Sequence, residues 1–140
     1  YSQVPFQILV EHYDNRPAIE LKFFMFDGTI GCISLLEYSR NHQILGRSHF
    51  YPNWKFIEVE TEHPLGKQNV DIPEEAKWTG CEIACALSEG IDFVRVDLYY
   101  YPQDNEWVFG EYTLYPTTGM TRFKPRHFDL WLGDKWRLPR

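Results

Sequence analysis

The stretch IDFVRVDLYYYPQDNEWVFGEYTLY, residues 91–115, decides the fold. Two β-prone runs, 91–101 and 106–115, flank the turn formers Pro102-Gln103-Asp104-Asn105, so the stretch reads as a hairpin. In the first run, alternation puts Phe93, Arg95, Asp97 and Tyr99 on one face and Val94, Val96 and Leu98 on the other. One face is then core and the other carries charge. In the second run Trp107, Phe109, Glu111, Thr113 and Tyr115 share a face. A three-residue loop, Gln103-Asp104-Asn105 with Asn105 left-handed, sets Pro102 opposite Glu106. Counting back from there places Asp97 opposite Glu111 and Arg95 opposite Thr113, all on one face. A one-residue slip would move Glu111 to the other face from Asp97.

Two carboxylates facing each other across a strand pair repel by up to about 1 kcal/mol when exposed, and by more when buried. Arg95 offsets part of that. Two acids and a hydroxyl also make an all-oxygen site suited to Mg²⁺, which keeps places for water and phosphate oxygens. A solvated or Arg-bridged sheet face produces the same alternation without a ligand, and both readings stand at this level. After Thr113 the chain runs Leu114-Tyr-Pro-Thr-Thr-Gly-Met-Thr121, a loop whose backbone N–H groups suit a phosphate or carboxylate, or else a plain surface turn.

Upstream of the hairpin, residues 6–12 form a short apolar run read as a strand, and two apolar runs within 18–37 break at Asp27-Gly28, a tight-turn pair. From Tyr38 to Gln68 the periodicity fades into a long excursion with an aromatic island at 50–54 and a short strand at 55–59. Ile72-Pro73-Glu74-Glu75 opens a helix in which Trp78, Cys81, Ala84, Cys85 and Leu87 recur at helical spacing, ending at Gly90. A short helix is expected from Pro125 to Leu132, stopped at Gly133. Strands, a long helix, two strands and a short helix predict an α+β domain with a mainly antiparallel sheet.

The chain has 140 residues, 44% hydrophobic and 24% charged, with 10 Phe, 9 Tyr and 5 Trp, enough for one core without staples. With 14 basic and 20 acidic residues the formal charge is −6, which leaves no broad positive field for nucleic acid. No apolar stretch approaches the roughly 20 residues of a membrane span, and Tyr1–Val10 does not read as a secretory signal. Cys32, Cys81 and Cys85 are odd in number and lack zinc spacing, so they read as reduced core thiols of a cytoplasmic protein. His12, His42, His49, His63 and His127 show no ligand spacing and read as polar loop or edge residues. Arg40-Asn41-His42 and Arg47 fall in the excursion, where a solvated loop is the first reading and an anion contact the second. The five tryptophans read as core or lobe-packing residues.

Taken in order, Ile8-Leu-Val-Glu11-His-Tyr13, Glu20-Leu-Lys22-Phe-Phe-Met-Phe26-Asp-Gly28, His49-Phe-Tyr51-Pro-Asn-Trp54, Phe93-Val-Arg95-Val-Asp97-Leu-Tyr99, Gly110-Glu111-Tyr-Thr113-Leu-Tyr-Pro116, Gly119, Phe123-Lys-Pro125 and Leu132-Gly-Asp134 resemble the TupA-like ATP-grasp family. The resemblance implies the C-terminal lobe of an ATP-grasp fold, which holds ATP and Mg²⁺ while a carboxylate is phosphorylated and an amine attacks the acyl phosphate. It implies that Glu11 meets the adenine edge, that Glu20 lies near the ribose hydroxyls and that Lys22 contacts phosphate. Arg95 is similar to the family's phosphate-binding, catalytic arginine, Asp97 to the first magnesium ligand and Glu111 to the acid bridging both metals. Thr113 stands where many ATP-grasp ligases have Asn as a second-metal ligand.

ATP-grasp enzymes also use a preceding lobe with phosphate-binding lysines and a Gly-rich loop. Residues 1–140 are therefore expected to be a single domain and a fragment of a longer protein, inactive alone. The implied work is joining a carboxylate to an amine in making cell-surface polysaccharide or polymer. A reading from another class is a non-catalytic module whose aromatic and acidic face holds a glycan or a metal ion.

Overall fold

A computed structural model describes residues 5, 7, 8, 10, 14–39, 41 and 43–137. Six strands form one antiparallel sheet: β1 Ile19–Phe26, β2 Thr29–Tyr38, β3 Ile44–Phe50, β4 Phe56–Ile57, β5 Val94–Tyr101 and β6 Glu106–Thr113, in the order β4-β3-β2-β1-β5-β6. Helix α1, Glu74–Leu87, and the shorter α2, Arg126–Gly133, complete an α+β fold, as expected. The strand expected over 6–12 falls largely outside the described residues; Gln7, Ile8 and Val10 are in no strand.

The Asp27-Gly28 turn is where it was expected, with φ of +48° and +72°, the two left-handed conformations a tight hairpin turn needs. This hairpin puts β1 in the middle of the sheet between β2 and β5. One face packs Leu21, Phe23, Met25, Val94, Val96, Leu98 and Tyr100 against Ala76, Cys81 and Ala84 of α1. Pro73 starts that helix and Glu74 and Glu75 fill its first turn, where acids favour the positive end of the helix dipole. Gly80 is required by packing: a Cβ there would stand 2.5 Å from the Trp107 ring, whose Nε1 donates to Ala76 O at 3.0 Å. On the opposite face Phe24, Phe26 and Cys32 meet Phe128 and Leu132 of α2.

Five sequence expectations need correction. The excursion of 38–68 contains a seven-residue strand, β3, paired with β2 as Leu36↔Arg47 and Ser34↔His49. Arg47, Ser48 and His49 are buried, and three successive polar residues hide a strand from any hydrophobic count. His49 is accordingly no loop or edge residue: it lies against Phe123 and Phe128 and is 1% exposed. Arg47 is likewise a strand residue, 6% exposed, and not part of a solvated loop.

The hairpin loop has four residues, Pro102 to Asn105, so Tyr101 pairs with Glu106 and Tyr100 with Trp107. A bulge at Gly110, between the pairs Leu98↔Phe109 and Asp97↔Glu111, then shifts the register back by one. Trp107, Phe109 and Tyr112 therefore lie on the α1 face and Glu111 and Thr113 on the other, which corrects the single shared face expected for β6. The expected pairs Asp97↔Glu111 and Arg95↔Thr113 are nevertheless present, because the longer loop and the bulge cancel. Asn105 is left-handed, as expected, with φ +51°.

Candidate functional site

The face opposite α1 carries a continuous polar network across β1, β5 and β6. Lys22 and Asp97 are direct partners in the β1–β5 ladder, and Asp97 and Glu111 in the β5–β6 ladder, so three adjacent strands aim charge at one spot. Lys22 Nζ donates to Glu20 Oε1 at 2.5 Å and to Asp97 Oδ2 at 2.7 Å. Arg95 grips Asp97 with two bonds, Nε to Oδ1 at 2.6 Å and Nη2 to Oδ2 at 2.7 Å, and the same Nη2 reaches Glu111 Oε1 at 3.2 Å. Thr113 Oγ1 donates to Glu111 Oε1 at 3.0 Å.

Glu20, Lys22, Arg95, Asp97, Glu111 and Thr113 are thus one hydrogen-bonded chain. Glu11 lies outside the described residues.

This face is not solvated. Asp97 is 1% exposed, and Lys22 and Arg95 are buried with it, whereas Glu111 on the edge strand keeps 64% of its side chain in water. Burial opposes the Lys22 charge, but the bonds to Asp97 and Glu20 outweigh it and hold the ammonium above its ordinary pKa. Tyr99, next along the same face, has its hydroxyl pushed up by burial and by the Glu20 charge. The Gly110 bulge aims Glu111 at this network, and a side chain there would crowd the Tyr99 ring at 2.7 Å and Asp97 O at 3.1 Å.

Beside the network lies a groove of about 950 Å³, walled by Ile19, Glu20, Leu36, Tyr38 and Tyr99 on the sheet and by Lys67, Asn69 and Val70 opposite. Glu20 belongs to both groove and network, where it accepts from Lys22. Alternation had put Tyr99 on this face without a role. Tyr38 ends a strand and carried no signal.

The donor types suit a hard divalent cation. Asp97 and Glu111 accept from the same Arg95 nitrogen, which holds the two carboxylates one guanidinium nitrogen apart, with the Thr113 hydroxyl on Glu111. Asp97 uses three of its roughly four acceptor positions on Lys22 and Arg95. The Arg95 guanidinium here supplies the counter-charge that the facing carboxylates require. Among the described residues, no three His, Cys, Asp or Glu side chains are gathered as a metal cluster.

The groove and the Lys/Arg/Asp/Glu network meet at Glu20 on the antiparallel sheet. The family profile described as TupA-like ATPgrasp matches residues 1–137, and the chain belongs to that family. No curated protein and no solved structure matches it. Among the described residues no helix is long and apolar enough to cross a membrane.

Proposed function

We propose that this chain is the nucleotide- and metal-binding lobe of a carboxylate–amine ligase. The observation that carries the reading is the single hydrogen-bonded chain from Glu20 through Lys22, Asp97 and Arg95 to Glu111 and Thr113, beginning in a groove large enough for a nucleoside.

In this reading Tyr38 and Tyr99 flank the base and ribose, Glu20 accepts from the ribose hydroxyls, and Glu11 meets the adenine edge. Lys22 and Arg95 face the phosphates. Asp97, Glu111 and Thr113 would hold Mg²⁺, which when bound would supply positive charge against the phosphate oxygens. Arg95 then exchanges its carboxylate partners for phosphate oxygens, and its burial beside Phe24 keeps the guanidinium in one place during that exchange. The chemistry asked of the protein is positioning and charge, and this face supplies both.

The complete site includes a second lobe bearing phosphate-contacting lysines and a Gly-rich loop, on a longer protein. In this reading the ligase works in the cytoplasm on the building of a cell-surface polymer or polysaccharide.

The test is calorimetric titration of Mg²⁺ with a nonhydrolysable ATP analogue into the chain and into its Asp97→Asn/Glu111→Gln variant. Heat in the native chain that vanishes in the variant is the expected result. Equal heat in both overturns the metal assignment. If both are silent, the titration is repeated on the longer reading frame, where silence overturns the nucleotide reading. In the active protein, removing either acid is expected to lower kcat about 10²-fold or more.

A further inference from the structure

A second cavity, of about 250 Å³, opens on the α2 side of the sheet. Phe24, Phe26, Phe93, Leu132 and Trp136 make it strongly apolar, and Phe24 is the ladder partner of Arg95, so this cavity and the charged network share a wall. Its size is below the roughly 300–1,000 Å³ of drug-sized sites, which fits a molecule of about ten non-hydrogen atoms.

Arg47 also lines it and brings a buried guanidinium to the cavity. The Arg47 backbone is fully engaged, donating to Pro64 O at 2.8 Å and accepting from Gly66 N at 3.0 Å, so β3 fixes where the side chain starts. Its guanidinium is poorly matched. Among the described residues it donates to Ser34 Oγ at 3.2 Å and only at 3.5 Å to Glu62, an acid that remains 44% exposed. Arg95, by contrast, holds Asp97 at 2.6 and 2.7 Å. A buried guanidinium without a close carboxylate is costly. Burial draws the Arg47 pKa down; Glu62 opposes this, and the charge of nearby Arg95 adds to it.

We propose that this cavity binds a small monocarboxylic acid with a flat apolar body, the body among the aromatic rings and the carboxylate on Arg47. The acid is the carboxylate the module activates; that identification rests on the ligase reading above, whereas the binding does not. Asp129, an exposed acid on the α2 wall, disfavours a second negative charge and so selects against dicarboxylates.

The probe is 3-phenylpropionate, titrated calorimetrically without nucleotide, beside its neutral amide and glutarate. A Kd of about 0.1–1 mM is expected for the acid, with the amide and glutarate each weaker by about tenfold or more. Arg47→Gln is expected to bind acid and amide alike.

Equal affinity of the native chain for acid and amide, or no saturation by about 10 mM acid, overturns the proposal. These arms hold even if Arg47→Gln fails to fold. Acid binding beside a nucleotide titration that fails in the longer protein keeps the carboxylate site and removes its role as substrate site; nucleotide binding without acid binding overturns this proposal alone.

Discussion

The two faces of the central strand β1 are held by different rules in its first half. Leu21, Phe23 and Met25 face α1 and are held by non-directional packing; Glu20 and Lys22 face the other way and are held by bonds of 2.5 to 2.7 Å to named atoms. An apolar face accepts another side chain of similar volume at a cost usually below about 1.5 kcal/mol. A buried ionic face does not, because each charge has been stripped of water and depends on its partner. The apolar face therefore holds the sheet together, and the charged face spends part of that stability on a preorganised site.

The sharpest way to break this comparison is Asp97→Ala, which leaves Lys22 and Arg95 buried without their shared acceptor. The expected loss is about 3–5 kcal/mol in chemical denaturation, together with loss of nucleotide affinity. Replacing the trio together, as Lys22→Met/Arg95→Met/Asp97→Leu, is expected to restore stability to within about 2 kcal/mol of native while nucleotide binding stays absent. A triple variant as unstable as Asp97→Ala would mean that the network, not packing, holds this region. On the opposite face Phe23→Ala is expected to cost about 3–5 kcal/mol, with nucleotide affinity of the remaining folded protein unchanged.

Gly110→Ala tests the bulge that joins the two rules. Its Cβ would crowd the Tyr99 ring and Asp97 O, so a loss of about 1–3 kcal/mol and weaker Mg²⁺ binding through a displaced Glu111 are expected. Loss of stability with unchanged metal affinity would separate the bulge from the site.

His49 gives the most gradual effect. Burial, with Arg47 nearby, lowers its pKa from the usual 6.5 to about 3, and neither ring nitrogen has a partner among the described residues. Below pH 6.5 the unfolded chain takes up the proton and the folded chain does not, so stability falls as pH falls, by up to about 1.4 kcal/mol per pH unit. The loss ends near the folded pKa. His49→Phe is expected to remove this part of the pH dependence, measured as the denaturation midpoint between pH 7 and 5.

Much of the fold was legible because its signals are local. Asp27-Gly28 marks a turn by dihedral preference alone, and Pro73-Glu74-Glu75 followed by apolar residues at helical spacing marks α1. The pairing of Asp97 with Glu111 was also legible, although its count reached the right register through a loop one residue too short and an unseen bulge. Gly110 was the available sign of that bulge, since glycine inside a strand often marks one. Strand β3 was not legible, because sequence methods equate polar with exposed and Arg47, Ser48 and His49 are polar and buried.

The sequence by itself determined the β1–β2 and β5–β6 hairpins, the helices, the α+β class and the alternation that puts Arg95, Asp97 and Tyr99 on one face. These follow from steric preferences and periodicities that act within a few residues. Only the tertiary structure decided that the charged face is buried, that Lys22 reaches Asp97 across 75 positions, and that Arg47 stands under-paired beside an apolar cavity. Burial and ion pairing depend on which strands become neighbours and what covers them, and that is settled by the packing of the whole chain.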